Sequence, residues 1–144
     1  MDILYEDIFD KCQGLSSFEG RRLKDASGKS MYPEVHITEQ DKPLIQVLAY
    51  GAMTAVHAAA RYAVEDVEYT DEGITVLFID GNAKNVSGDA QKVLTECLSM
   101  HIMQHWLEDK EPKRSEAYGG MYQNLLASFT RLAYRKYAPS LKNY

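Results

Sequence analysis

Two cysteines, four prolines and a single tryptophan in 144 residues exclude several classes at once. Two thiols cannot build a disulfide framework, and in reduced form they suit an intracellular protein. No run of about 18 apolar residues is present, so no helical membrane span and no membrane partner are expected. The opening MDILYEDIFDKCQG has acids where a secretory leader needs a basic start, and no apolar stretch behind them. A cytoplasmic location as synthesised is therefore expected. Also missing are the G-x-S-x-G nucleophile turn, a glycine-rich phosphate loop and a dinucleotide fingerprint. No cofactor and no catalytic residue are expected, and no internal repeat or low-complexity segment is visible.

What is present is a chain of ordinary globular composition, 45% hydrophobic and 26% charged, long enough to bury a core without staples. Its charge is unevenly spread. Across residues 1–109, nine Lys and Arg face nineteen Asp and Glu, a net of −10; residues 110–144 carry a net of +5. Unlike ends can present complementary surfaces to copies of the same chain. The acidic total disfavours sequence-specific nucleic-acid binding.

Periodicity predicts an α+β fold, mainly α: four helices with one β-hairpin between helices 2 and 3. We expect one domain over 1–144. An N-terminal helix covers 1–14, an irregular or extended arm 15–37, a core 38–138 and a loose tail 139–144. Leu4, Ile8 and Cys12 share a face of the first helix, with Gly14 placed for a left-handed cap. The arm has turn chemistry at DASGK, and Pro33 in its second half argues against regular pairing there.

Thr38 and Asp41 have capping-box spacing ahead of the second helix. On that helix Gln46, Tyr50, Thr54, His57 and Arg61 collect on one polar strip. The rest is apolar, so most of the circumference should be covered, and Gly51, Ala52, Ala55, Ala58 and Ala59 form a small-residue side that another backbone can approach. Residues 67–78 switch to strand period, with Gly73 expected at positive φ in a TDEG turn. Ser87 is a candidate cap for a helix over about 88–108 that is apolar nearly all round, hence central. Ser115 is a candidate cap for the last helix, whose apolar face runs from Tyr118 to Ala133, with Pro139 ending it.

The sharpest chemical question is the stretch CLSMHIMQH. Cys97, His101 and His105 lie four residues apart, the spacing at which two helical side chains can share one zinc ion. Three on one straight helix cannot, because Cys97 and His105 sit about 12 Å apart along the axis. The protease pattern also fails, since Ile102 follows His101 where a glutamate is needed. We therefore expect core histidines and no metal; the alternative is a small metal-dependent enzyme or metal-binding protein using His57, His101 and His105. Ten tyrosines, many near element ends, suit protein–protein contact instead. The interface candidates are Tyr50, Gly51, Ala55, Arg61, Arg131 and Arg135.

The stretch HITEQDKPLIQVLAYGAMTAV, followed by a short β-excursion and a last helix containing YQNLLASFTRLAYRKYAP, resembles the layout of phage head–tail connector (head-completion or adaptor) proteins. The resemblance covers roughly residues 36–138 and extends to small proteins of prophage structural clusters. It rests on layout and residue flavour, without a diagnostic motif. It implies a non-enzymatic structural subunit of a virion-associated ring between portal and tail. Such a subunit partners itself, as a homo-oligomer, or another phage structural protein. It carries over no individual residue. A helical protein-binding regulator is a third reading.

Overall fold

The computed structural model describes residues 1–79 and 87–135. A short strand, Asp2–Leu4 (β1), runs into helix Tyr5–Arg22 (α1), and a single helical turn, Tyr32–Val35 (α2), follows. A 3-10 turn at Glu39–Asp41 leads into helix Lys42–Ala59 (α3). Then come strands Val64–Tyr69 (β2) and Gly73–Phe78 (β3), and helices Ser87–Leu107 (α4) and Pro112–Ala133 (α5). The protein is mainly helical, with four long helices and one small sheet among the described residues. Residues 80–86 and 136–144, with the expected Pro139 stop and the 139–144 tail, and the Ser87 side-chain cap lie outside the description.

The expected hairpin between helices 2 and 3 needs two corrections. The turn at Tyr32–Val35 is itself helical, so the strands fall between the third and fourth helices, and they form a three-stranded antiparallel sheet in the order β1-β3-β2. The third strand is the N-terminus. Asp2, Ile3 and Leu4 pair with Thr75, Ile74 and Gly73, and Ile3 is buried beneath the sheet.

This pairing also corrects the role of Gly73. Among the described residues the positive-φ glycine is Gly28, at φ 84°, inside the DASGK turn where Asp25 Oδ1 accepts from the Ser27 and Lys29 amides. Gly73 is the first residue of β3, and a Cβ there would run into the Ile3 carbonyl oxygen, with Ile3 C at 3.0 Å and Leu4 Cα at 3.1 Å. Close approach of β1 is the reason for glycine at this position.

α1 is longer than expected, because Gly14 does not end it and residues 15–22 of the supposed arm continue the helix. The inner side of that extension is small or polar: Ser16, Glu19 and Gly20 are buried. Each has its polar atoms satisfied or gives room. Ser16 Oγ accepts from the Ile37 amide at 2.9 Å, and Gly20 lets the Tyr32 backbone pass at a distance that a Cβ would close to 2.9 Å. Glu19, 1% exposed, accepts two bonds from Arg114 at 2.8 and 3.0 Å and one from the Tyr118 hydroxyl at 3.1 Å. Burial and the neighbouring carboxylate push the Tyr118 phenol up to about 12.

α4 is the central helix, as its all-round apolar sequence requires, touching α1, α3, α5 and β1. Its longest contact is with α5, where a Cβ on Gly119 would lie 2.9 Å from the Gln104 side chain. Ser115 does not cap α5. Pro112 occupies the first turn after Glu111, and Ser115 is buried, donating from Oγ to the Gln104 carbonyl at 2.7 Å. The Thr38–Asp41 capping box is present and caps the 3-10 turn ahead of α3.

Candidate docking surface

α3 presents three faces, set by about 100° of rotation per residue. Ile45, Ala49, Ala52, Met53, Val56 and Ala60 are buried against the core. The polar strip forms the second face and turns toward β2. There the Tyr50 and Tyr69 rings meet at 4.5 Å, and Thr54 Oγ1 donates to the Tyr50 carbonyl at 2.9 Å. His57 Nε2 lies 3.2 Å from the Val64 carbonyl oxygen, and the Arg61 guanidinium stacks 4.8 Å from the Tyr62 ring centroid.

The third face is the unexpected one. Leu44, Val47, Gly51, Ala55, Ala58, Ala59 and Tyr62 are exposed, and Leu48 is half-buried. Val47 keeps 66% and Tyr62 69% of their surface in solvent, more than a scattered surface apolar residue needs explained, because they are contiguous. No Lys, Arg, Asp or Glu interrupts the sequence between Lys42 and Arg61. The expectation that most of this helix is covered is therefore not met within the chain. The small-residue side expected from sequence is divided: Ala52 turns inward and Gly51, Ala55, Ala58 and Ala59 outward.

On the side of α3 away from this face, Glu6, Asp71 and Glu72, with Lys42 and Gln46, line an open cleft of about 400 Å³, and exposed Glu39 lies ahead of the helix. Lys42 bonds Glu39 at 2.9 Å and Glu6 at 3.5 Å. Past the other end of α3 the Tyr62 amide donates to the Tyr134 hydroxyl at 3.2 Å. That contact brings the end of α5, which carries exposed Arg131 and Arg135, to Tyr62.

The Cys97–His101–His105 stripe runs from the core to solvent instead of staying inside. Cys97 is buried, His101 half-buried and His105 exposed, so only one of the two histidines expected in the core faces it. The His101 ring packs 4.5 Å from His105 and 4.7 Å, edge-on, from Tyr122. Burial, then the neighbouring His105, pulls its pKa below the ordinary histidine value. Burial pushes the Cys97 and Cys12 thiols up to about 12, which keeps them protonated and poor nucleophiles. His57 is tied to the β2 end of α3. Among the described residues no group of three or more His, Cys, Asp or Glu side chains is placed to hold a metal ion.

Of the interface candidates, Gly51 and Ala55 lie on the outer α3 face, Tyr50 on the strip beside it, Arg61 just past the helix, and Arg131 and Arg135 at the end of α5. Leu44, Val47 and Tyr62 belong to the same face and were not singled out from sequence. Their signal was the charge-free run from Pro43 to Ala60. Compared with protein-family models, curated proteins and solved structures, the chain matches none.

Proposed function

We propose that the protein is a non-enzymatic structural or assembly protein that docks another helix on the outer face of α3. The observation that carries this reading is that contiguous face, exposed and free of charge from Leu44 to Ala59. Leaving such a strip in water is unfavourable by roughly 25 cal/mol per Å² of apolar area, and a partner recovers it. The tyrosines at its margins, Tyr50 and Tyr62, add rigid amphipathic contact area.

The layout resemblance to head–tail connectors supplies the setting: a virion subunit whose partner is a ring such as the portal. The test is to look for portal, terminase and capsid genes beside this one, and to co-express the chain with that portal protein. A complex that forms with the wild type and is lost on Val47→Glu supports the reading. A chain that purifies alone beside every neighbouring structural protein contradicts it.

A further inference from the structure

The end of α1 and the turn that follows it concentrate positive charge in an acidic chain. Four of the nine Lys and Arg of residues 1–109 lie within 21–29: Arg21, Arg22, Lys24 and Lys29. The acids of the same stretch do not balance them. Glu19 is buried and spent on Arg114 and Tyr118. Asp25 closes the turn, accepting from the Ser27 and Lys29 amides and the Ser27 hydroxyl. All four cations are exposed. Among the described residues none of them takes part in an ion pair, whereas Lys42, Lys110 and Arg114 each do.

The surface is also held in shape. The Arg22 guanidinium lies over the Phe18 ring, 5.2 Å from its centroid, and Arg21 over the Tyr32 ring at 5.8 Å. Tyr32 is stacked on His36 at 4.6 Å. The chain then folds back on the helix end: the Met31 amide donates to the Leu23 carbonyl, the Asp25 amide to the Lys29 carbonyl, and Ser30 Oγ to the Gly20 carbonyl. Lys24 pairs with Ser30 across that ribbon. Phe18 keeps 55% of its surface in solvent, while Leu15, Leu23 and Met31 of the same segment pack against the core.

Unpaired cations beside one free ring select an anion that also carries flat faces. Single-stranded nucleic acid has both, phosphates for the cations and bases that stack on rings and guanidinium planes. An acidic peptide would leave Phe18 unused. A bilayer surface asks for several apolar side chains and finds one. A duplex keeps its bases stacked inside and offers this surface phosphates alone.

We propose that this end of the protein binds single-stranded nucleic acid without regard to sequence. Arg21, Arg22, Lys24 and Lys29 hold phosphates, and a base stacks on Phe18 beside Arg22. The acidic remainder of the chain repels the rest of the strand, so binding is weak, confined to this end and strongly salt-dependent. It is independent of the α3 face.

The test is fluorescence anisotropy of dye-labelled oligothymidylate of about 16 nucleotides with the full chain. The expected result is saturable binding at low salt, with log K falling against log salt at a slope of about −2 to −3 for the four cations. Lys24→Gln with Lys29→Gln changes only exposed side chains off the helix, and should weaken binding roughly tenfold and reduce the slope by about 1. Phe18→Ala should weaken it about fivefold or more with the slope unchanged. Arg131→Glu with Arg135→Glu should leave it unaltered. No saturable binding at about 100 µM protein, the weak end of sequence-tolerant affinity, would overturn the proposal. So would an equal loss in the Arg131, Arg135 variant, which moves the contact elsewhere. An unchanged affinity in Phe18→Ala, or a duplex or polyglutamate competing as well as unlabelled oligothymidylate, would reduce the surface to unselective charge and overturn it too. Co-sedimentation with phosphatidylserine vesicles in place of oligothymidylate binding would assign the surface to membranes instead.

Discussion

Replacing Gly73 by alanine adds one methyl group at the point where the N-terminal strand meets the sheet. The new Cβ would overlap the Ile3 carbonyl oxygen and lie 3.0 Å from Ile3 C and 3.1 Å from Leu4 Cα. These are backbone atoms with no flexible end to yield. Overpacking of this kind costs about 1–3 kcal/mol when the structure can shift. If β1 detaches instead, the burial of Ile3, 1% exposed, is lost, at about 2 kcal/mol. The expected loss is therefore about 1–3 kcal/mol. In a chain of this size that corresponds to a fall in Tm of roughly 3–10 °C, read by circular dichroism. Gly28→Ala is the control for backbone strain alone: its φ is 84° but nothing lies within 4 Å of the added carbon. About 1 kcal/mol is expected there. Hydrogen exchange should show fast exchange at the Tyr5 amide, which bonds the Glu72 carbonyl, in Gly73→Ala only. A Tm for Gly73→Ala within about 1 °C of wild type would refute the close-approach account.

Arg114→Ala strands the buried Glu19 carboxylate with only the Tyr118 hydroxyl, and a loss of about 3–5 kcal/mol is expected in urea unfolding; Arg114→Ala with Glu19→Met should recover much of it. His101 has a folded pKa below its unfolded value, so the unfolded chain takes up the proton first. Stability should fall as pH drops through the ordinary histidine value near 6.5, and His101→Phe should flatten that part of the pH–stability curve; an unchanged slope would contradict the burial of that ring. Arg131→Glu with Arg135→Glu should weaken self-association several-fold at low ionic strength. The difference should vanish near 0.5 M salt, where the Debye length is only about 4–5 Å; equal affinities at low salt would remove the charged ends from the interface.

The elements legible in the sequence were those whose pattern is local. The alternation of Ile74, Val76 and Phe78, the all-round apolar run of α4, the Tyr118–Ala133 face and the Thr38–Asp41 box each repeat within a few residues. What was not legible depends on partners far along the chain. Three residues at the N-terminus show no strand period of their own, and β1 exists because β3, some 70 residues later, offers an edge. The SSFEGRR half of α1 looks like a polar arm until Arg114 and Tyr118 arrive to satisfy Glu19. For the site, Gly51 and Ala55 stood out as small residues inviting close approach. Which sides of α3 the chain itself would cover is a matter of packing geometry, and the same apolar letters at Val47 and Met53 end up outside and inside.

The central claim is that the outer face of α3 is the surface on which this protein associates. An amide-resolved NMR dilution series on the full chain, from about 1 mM to about 20 µM, tests it most directly, since weak association in this range shifts the amides at the contact. The account expects concentration-dependent shifts concentrated at Leu44, Val47, Gly51, Ala55, Ala58 and Tyr62, and absent at those positions in Val47→Glu. Shifts confined to other surfaces, or no shifts at any concentration together with no change on Val47→Glu in the presence of the portal protein, would contradict it.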